Sequence, residues 1–265
     1  MRRINWLLTA AAVLAAVGLS GCGGEEPVEE PNDGGVTDTT GSGGDNNNGG
    51  YSGNYDISLS CGNRPCGNAL MPDGKVWMTE NLNYQTADSW CWGDSAANCE
   101  TYGRLYTWEA AKKACPAGYH LPSNQDWGGL AEAVGGNKVL RTLFDDYFIW
   151  EWEGASEKLK SRGWGGGMAK TIADDFGFSA LPGGYRVNYY SGDFPHPLCS
   201  GDINDEDDCS GVSFQGIGQQ GIWWTATEYS EKNAYGYWMS IDGVDVFEGY
   251  DPGGNGFSVR CIADK

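Results

Sequence analysis

Cysteine sets the tightest limit on how this chain can fold. Nine are spread along its 265 residues, at positions 22, 61, 66, 91, 99, 115, 199, 209 and 261. Disulfides persist in exported proteins, whereas clustered cysteines inside cells more often hold metals or act in catalysis. Zinc fits poorly here, because no Cys-x-x-Cys occurs and only His120 and His196 supply imidazoles. Three pairs close short loops: Cys61 with Cys66, Cys91 with Cys99, and Cys199 with Cys209. Cys115 and Cys261 then remain as a long-range staple, and Cys22 as the odd residue. Eight cysteines allow about a hundred pairings, and spacing alone does not select among them.

Cys22 has a context of its own. Arg2 and Arg3 precede an apolar run from Leu7 to Val17, which is followed by Leu19-Ser20-Gly21-Cys22. A basic start, a short apolar stretch and small residues before a cut form the layout of a secretory signal. The run is too short to span a bilayer as a mature helix. Its last four residues resemble a bacterial lipobox; the bland alternative is an ordinary signal peptide with a chance cysteine. The resemblance implies cleavage before Cys22 and acylation of its thiol, so that the protein meets the membrane through that lipid. Gly23, rather than Asp, follows the cysteine, which within the resemblance implies outer-membrane sorting. The acids just beyond it resemble surface-export signals. The expected location is the bacterial outer membrane, lipid-anchored and surface-exposed.

Removing residues 1–21 takes away two arginines and no acid, so the net charge moves from −19 to −21. Nucleic acid is a poor partner for such a chain, since phosphate contacts need a basic face. Docking on anionic lipid is disfavoured for the same reason. Residues 22–54 are expected to be a tether. Beyond the cysteine they contain Glu, Asp, Asn, Gly, Ser and Thr with almost nothing apolar, too little to offset the entropy of ordering. Such a coil has a reach of about 30 Å. From Tyr55 onward tryptophan, tyrosine and turn residues become frequent, and 55–265 reads as one domain.

Within that domain, Leu105, Trp108, Ala111 and Cys115 share a face at helical spacing, so a helix is expected over Arg104–Cys115, stopped by Pro116. Ser123 and Asp126 form a capping-box pattern that starts a second helix, with Trp127, Leu130 and Val134 inward and Gly135-Gly136 as its end. A short helix fits 155–160. Toward the C-terminus Tyr235, Tyr237, Met239 and Ile241 alternate as in a strand. Asp242-Gly243 signals a tight type I′ hairpin leading to Val244 and Val246. Ile222 to Ala226 is another strand, and Phe257, Val259 and Cys261 form a last one. The expected class is α+β, with two helices packed on small twisted antiparallel sheets, long loops and disulfide staples. A glycine-rich stretch from Gly184 to Gly221 is long enough to be functional.

Six segments together resemble a known family. They are Asp73-Gly74-Lys75-Val76-Trp77-Met78-Thr79-Glu80-Asn81-Leu82, Tyr102-Gly103-Arg104-Leu105-Tyr106-Thr107-Trp108, Cys115-Pro116-Ala117-Gly118-Tyr119-His120-Leu121-Pro122, Gly177 to Arg186, Trp223 to Glu228, and Ser258-Val259-Arg260-Cys261. In that order they are similar to the Fibrobacter succinogenes major paralogous domain, over about residues 61–264. More distantly the family resembles the C-type-lectin-like fold of formylglycine-generating proteins. That resemblance implies a bridge from the first helix to the last strand, here Cys115 to Cys261.

Three roles are open, the first of them implied by the resemblance. An enzyme related to formylglycine-generating oxidoreductases needs a copper-binding cysteine pair, yet every cysteine after Cys22 has a plausible structural partner. A structural envelope protein without a soluble ligand is the second. The preferred expectation is a non-catalytic binding or adhesion module for polysaccharide or a surface protein. Its site is expected in the loops between Gly184 and Gly221 together with the Cys91–Cys99 loop. Aromatic rings in turn-rich segments are the ligand candidates: Tyr189, Tyr190, Trp164, Trp92, Trp90 and Phe194. Tyr189-Tyr190 leads, because neighbours in a strand face opposite ways. Arg186 is alternatively a core ion-pair partner. Trp77, Trp108, Trp127, Trp224 and Trp238 read as core. No catalytic residue or cofactor is expected, and one weak calcium pattern, Asp202, Asn204, Glu206 and Asp208, lies in the Cys199–Cys209 loop. It has Asp207 where such a loop needs glycine and Ser213 where it needs glutamate, and reads first as a solvated acidic loop.

Overall fold

Two adjacent tryptophans organise the domain. Trp223 and Trp224 lie in one strand, so they point to opposite faces of the sheet, and both are fully buried. Each nucleates its own core. The computed structural model describes residues 66–144, 147–164, 173–188 and 211–264. These residues belong to one compact unit, Tyr51–Lys265.

The main sheet has seven strands: β6 (Asn137–Phe144), β7 (Tyr147–Glu153), β8 (Gly183–Asn188), β9 (Val212–Ile217), β10 (Gln220–Ser230), β11 (Asn233–Ser240) and β12 (Val246–Pro252). They run in the order β6-β7-β12-β11-β10-β8-β9. The β8–β10 pair is parallel, and the other pairs within this sheet are antiparallel. A second sheet orders β1 (Asn68–Leu70), β2 (Val76–Met78), β13 (Ile262–Ala263) and β5 (Tyr119–His120), and β3 (Ser89–Trp90) pairs with β4 (Leu105–Tyr106). Four short helices are described: α1 (Ala96–Tyr102), α2 (Trp108–Ala114), α3 (Asn124–Ala133) and α4 (Ser156–Leu159). The architecture is α+β and mostly sheet.

Helix α3 begins where its capping box dictates. The Ser123 hydroxyl accepts from the Asp126 amide at 3.2 Å, and the Asp126 carboxylate accepts from the Ser123 amide at 2.7 Å. Gly135, in the left-handed region at φ +91°, follows its end. Gly128 lets the helix approach the sheet: a Cβ there would lie 3.1 Å from the Trp152 ring and 3.3 Å from the Tyr237 hydroxyl. Trp127 stacks on Tyr237 with centroids 5.5 Å apart and meets Trp77 edge-on at 5.1 Å. With Trp223 and Phe178 these rings form the first core. Trp108, Trp224, Tyr106 and Phe257 lie in the second, beside the Cys115–Cys261 bond.

Between the cores sits Arg260, fully buried. Its Nε donates to Asn81 Oδ1 at 3.0 Å, its Nη1 to the Met78 and Phe178 carbonyls, and its Nη2 to the Ser179 carbonyl at 2.6 Å. The same Asn81 oxygen accepts from the Trp223 indole at 2.9 Å. Burial pulls the guanidinium down to about 9.

Several sequence expectations need correction. Residues 104–107 are not helical: Leu105 and Tyr106 pair with Ser89 and Trp90, and Thr107 caps α2. Both Leu105 and Tyr106 are buried, which a strand achieves on its two faces. The Asp242-Gly243 turn is not a two-residue hairpin. Residues 241–245 join β11 to β12, and Gly243 does not have the positive φ that type I′ requires. The loop is fastened from outside, by Lys160 Nζ donating to the Ser240 and Gly243 carbonyls at 2.5 Å each and by Asp245 accepting from the Gly154 amide at 2.8 Å. Burial draws the Lys160 ammonium down to about 8. The last strand shrinks to Ile262–Ala263, because the backbone of Phe257 to Cys261 divides its hydrogen bonds among Tyr106, Ile222, Trp224, Leu82 and Met78 rather than one neighbouring strand. Trp238 is half-buried, stacked on Phe247 at 5.4 Å, while Trp77, Trp108, Trp127 and Trp224 are core. The β6–β7 hairpin was not foreseen.

Candidate functional site

Helix α3 is ten residues long and covers only about 15 Å of the sheet. The face it packs on continues beyond it. Register shows which side chains share that face. Tyr237 pairs with Glu248, Glu248 with Trp150, and Trp150 with Leu140 across four strands. The neighbouring rows on the same face are Val246, Trp152 and Lys138 on one side, and Tyr235 with Tyr250 on the other. Toward the helix these residues are buried. Away from it they open: Trp150 is 40% exposed, Leu140 48% and Tyr229, at the end of β10, 45%. Tyr229 stacks flat on Tyr250 at 3.4 Å and meets Tyr235 edge-on at 5.4 Å. An aromatic surface thus extends across the open half of the sheet.

Beside it runs a groove of about 980 Å³, lined among others by Asn124, Asp126, Lys138, Trp152, Tyr237 and Glu248. Both lysines of this groove are paired with acids. Glu248 is buried and accepts from Tyr237 Oη at 3.0 Å, Asn124 Nδ2 at 3.0 Å and Lys138 Nζ at 3.2 Å. Lys138 Nζ also lies over the rings of Trp150 and Trp152, at 4.5 and 4.9 Å. At the helix start Lys75 meets Asp126 at 2.5 Å, and at the rim His120 meets Asp264 at 2.6 Å. Burial pushes the Asp126 carboxyl up, but hydrogen bonds from Lys75 and Ser123 outweigh it and hold the group below the usual carboxylate range. Burial, then the charge of Glu248, drives the Tyr237 phenol far above its ordinary value, so it stays a neutral donor. Most of the ionisable groups of the groove are thus engaged with a partner and suit positioning more than proton transfer.

The residues expected from sequence fare differently. Trp164 is corrected: it is buried, its indole donates to the Ala180 carbonyl at 2.6 Å, and Lys160 lies over its ring at 4.8 Å. A ring so enclosed offers no face to a ligand. Trp90 and Trp92 are half-buried, and the Cys91–Cys99 loop meets the β8–β9 hairpin. Both rings there are engaged in holding that contact. Arg186 stacks on Trp90 at 3.7 Å, rather than forming a core ion pair. The Trp92 indole donates to the Gln215 carbonyl at 3.0 Å and packs on Phe214 with centroids 6.0 Å apart. Tyr189, Tyr190, Phe194 and the calcium pattern Asp202, Asn204, Glu206 and Asp208 lie outside the described residues, as do Cys22, Cys61, Cys199 and Cys209. Cys91 is bonded to Cys99 and Cys115 to Cys261. Cys66 is disulfide-bonded too. Among the described residues no cluster of three or more His, Cys, Asp or Glu could hold a metal ion.

Trp150, Leu140, Tyr229, Tyr235, Tyr250, Asn124, Lys138 and Glu248 were missed as a site. The Tyr235-x-Tyr237 alternation carried a signal. It runs one step past what a ten-residue helix can cover, so its outer ring had to face something else. No curated protein and no solved structure matches the chain. The family model described as the Fibrobacter succinogenes major domain matches residues 73–263. That span holds most of both cores and of the groove and all of the aromatic face, and the chain belongs to this family.

Proposed function

We propose that this protein is an exported lipoprotein, anchored at the outer membrane through Cys22, whose domain is a non-catalytic module that binds polysaccharide on the open face of its main sheet. The observation that carries the reading is the aromatic surface of Trp150, Tyr229, Tyr235 and Tyr250 beside a groove whose lysines are both paired with acids. Large exposed apolar patches on secreted domains mark interaction sites. Aromatic rings stack on the C–H faces of sugars, and their rigidity limits the entropy lost on binding. The excess of acid over base favours an uncharged polymer over an anionic one. A C-type-lectin-like ancestry accords with the Cys115–Cys261 bond from the end of α2 to the last extended segment.

The test uses the mature, detergent-solubilised chain in depletion assays with insoluble cellulose, xylan, mannan and chitin. Retention on at least one polymer is expected, with loss of about tenfold in affinity on Trp150→Ala or Tyr229→Ala. A folded wild-type chain that none of the four polymers retains would overturn the reading. Retention of a purified surface protein on the same face, and of no glycan, would replace polysaccharide by a protein ligand.

A further inference from the structure

We infer that Asn124 and Lys138 are the specificity-determining residues of this surface and that together they read two adjacent hydroxyls on an uncharged sugar ring. The inference rests on the polysaccharide reading above and goes beyond it in naming the ligand chemistry.

The argument starts from Glu248. An ionised carboxylate only accepts hydrogen bonds, so the Asn124 amide must turn its nitrogen toward it, as observed at 3.0 Å. That fixes the other end. Asn124 Oδ1 points away from Glu248, is itself buried, and takes no hydrogen bond from the described residues. A buried amide oxygen left unpaired is costly, which marks it as an acceptor that a ligand donor can satisfy. Lys138 supplies the opposite half. Its ammonium has three donors, and Glu248 engages one at 3.2 Å while two aromatic rings lie beneath it. The Lys138 side chain is 38% exposed beside the Trp150 ring, so a donor remains for a ligand.

One carboxylate holds both side chains, Asn124 Nδ2 on Oε1 and Lys138 Nζ on Oε2. Lys138 and Glu248 cancel in charge, as do Lys75 and Asp126. The pair thus presents one acceptor and one donor without a net field. A hydroxyl both donates and accepts. Two neighbouring hydroxyls on one pyranose meet this pair, with the C–H face of the same ring against Trp150. A carboxylated sugar gains nothing from a lysine already neutralised by a buried acid.

Chemical modification of the probe separates hydrogen bonding from stacking. Full O-methylation removes every hydroxyl donor and keeps the ring faces. The mature full chain is assayed against amorphous cellulose, xylan and mannan, each native and fully O-methylated. Wild type is expected to bind at least one native polymer about tenfold or more tightly than its methylated form, the size of one good hydrogen bond with a charged group. Asn124→Leu is expected to weaken native binding by about tenfold and to shrink the native-to-methylated ratio, whereas Lys138→Met is expected to weaken native and methylated binding alike, since an ether oxygen still accepts. Equal binding of wild type to native and methylated polymer overturns the inference and leaves a stacking site that needs only Trp150 and Tyr229. Failure of wild type to bind any native polymer removes the parent reading and this one with it. The methylation ratio is measured on wild type, so it decides the matter even where a variant does not fold.

Discussion

Replacing Asn81 by alanine should be among the most damaging single changes in this domain, although Asn81 touches no ligand. Its Oδ1 accepts from Trp223 Nε1 at 2.9 Å and from Arg260 Nε at 3.0 Å, and its Nδ2 donates to the Tyr102 carbonyl at 2.8 Å. All three side chains, Asn81, Trp223 and Arg260, are buried. In Asn81→Ala, two buried donors and one carbonyl lose a partner. Each neutral group left unpaired costs about 1–3 kcal/mol, and a charged guanidinium more, so the sum is roughly 3–5 kcal/mol. That is a large share of the 5–15 kcal/mol typical of a whole domain. Urea unfolding of the oxidised chain, followed by tryptophan fluorescence, reads the loss as a lower midpoint at unchanged slope. Repeating the change in a Trp223→Phe background, where the indole donor is already gone, should reduce the penalty by about 1–2 kcal/mol, the coupling of neighbours in one network. A loss under about 1 kcal/mol for Asn81→Ala, or full additivity of the two changes, would refute the idea that this amide ties the two cores together.

Three further outcomes follow from the structure. Replacing Cys115 and Cys261 by serine opens a loop of 146 residues and should cost about 4–5 kcal/mol in the chain-entropy model, read by urea unfolding against the oxidised wild type. Trp164→Ala should cost about 3–5 kcal/mol through its cavity, yet leave polysaccharide retention of the folded fraction unchanged, since the ring is enclosed. The buried phenols of Tyr106 and Tyr237 have folded-state pKa values raised, first by burial, above the value near 10 of an unfolded chain. A raised folded pKa gives stability that is fully present below pH 10 and lost as pH climbs past it. Melting temperature should therefore fall above pH 10, and the phenolate absorbance of these two rings should appear only with unfolding.

Local signals in the chain translated well into structure. Ser123 and Asp126 needed only each other to start α3, and Cys91 with Cys99 needed only a short loop. What failed depended on distant partners. Leu105 fits a helix by spacing, but Tyr106 is claimed by the Leu82 and Tyr84 carbonyls and draws the segment into a strand. Asp242-Gly243 has hairpin chemistry, but Lys160 holds the loop open from another part of the chain. Trp164 sits among glycines, and nothing local reveals that Ala180 accepts its indole. The β6–β7 hairpin was hidden because its outward rows carry Leu140 and Trp150, apolar residues that blur a two-residue alternation. That same blurring concealed the aromatic face. The segments that carried the family resemblance supply much of the scaffold: Asn81, Phe178, Trp223 and Arg260 bond to or pack on one another. They fix the frame, and most of the proposed ligand contacts lie outside them.

Hydroxyl-radical footprinting of the full chain, free and bound to the polysaccharide that retains it, tests the placement of the site most directly. The account predicts that Trp150, Tyr229 and Tyr250 become protected, while Trp90 and Trp92 react at the same rate in both states. Protection confined to the Cys91–Cys99 loop and the β8–β9 hairpin, with Trp150 and Tyr229 unchanged, would contradict it.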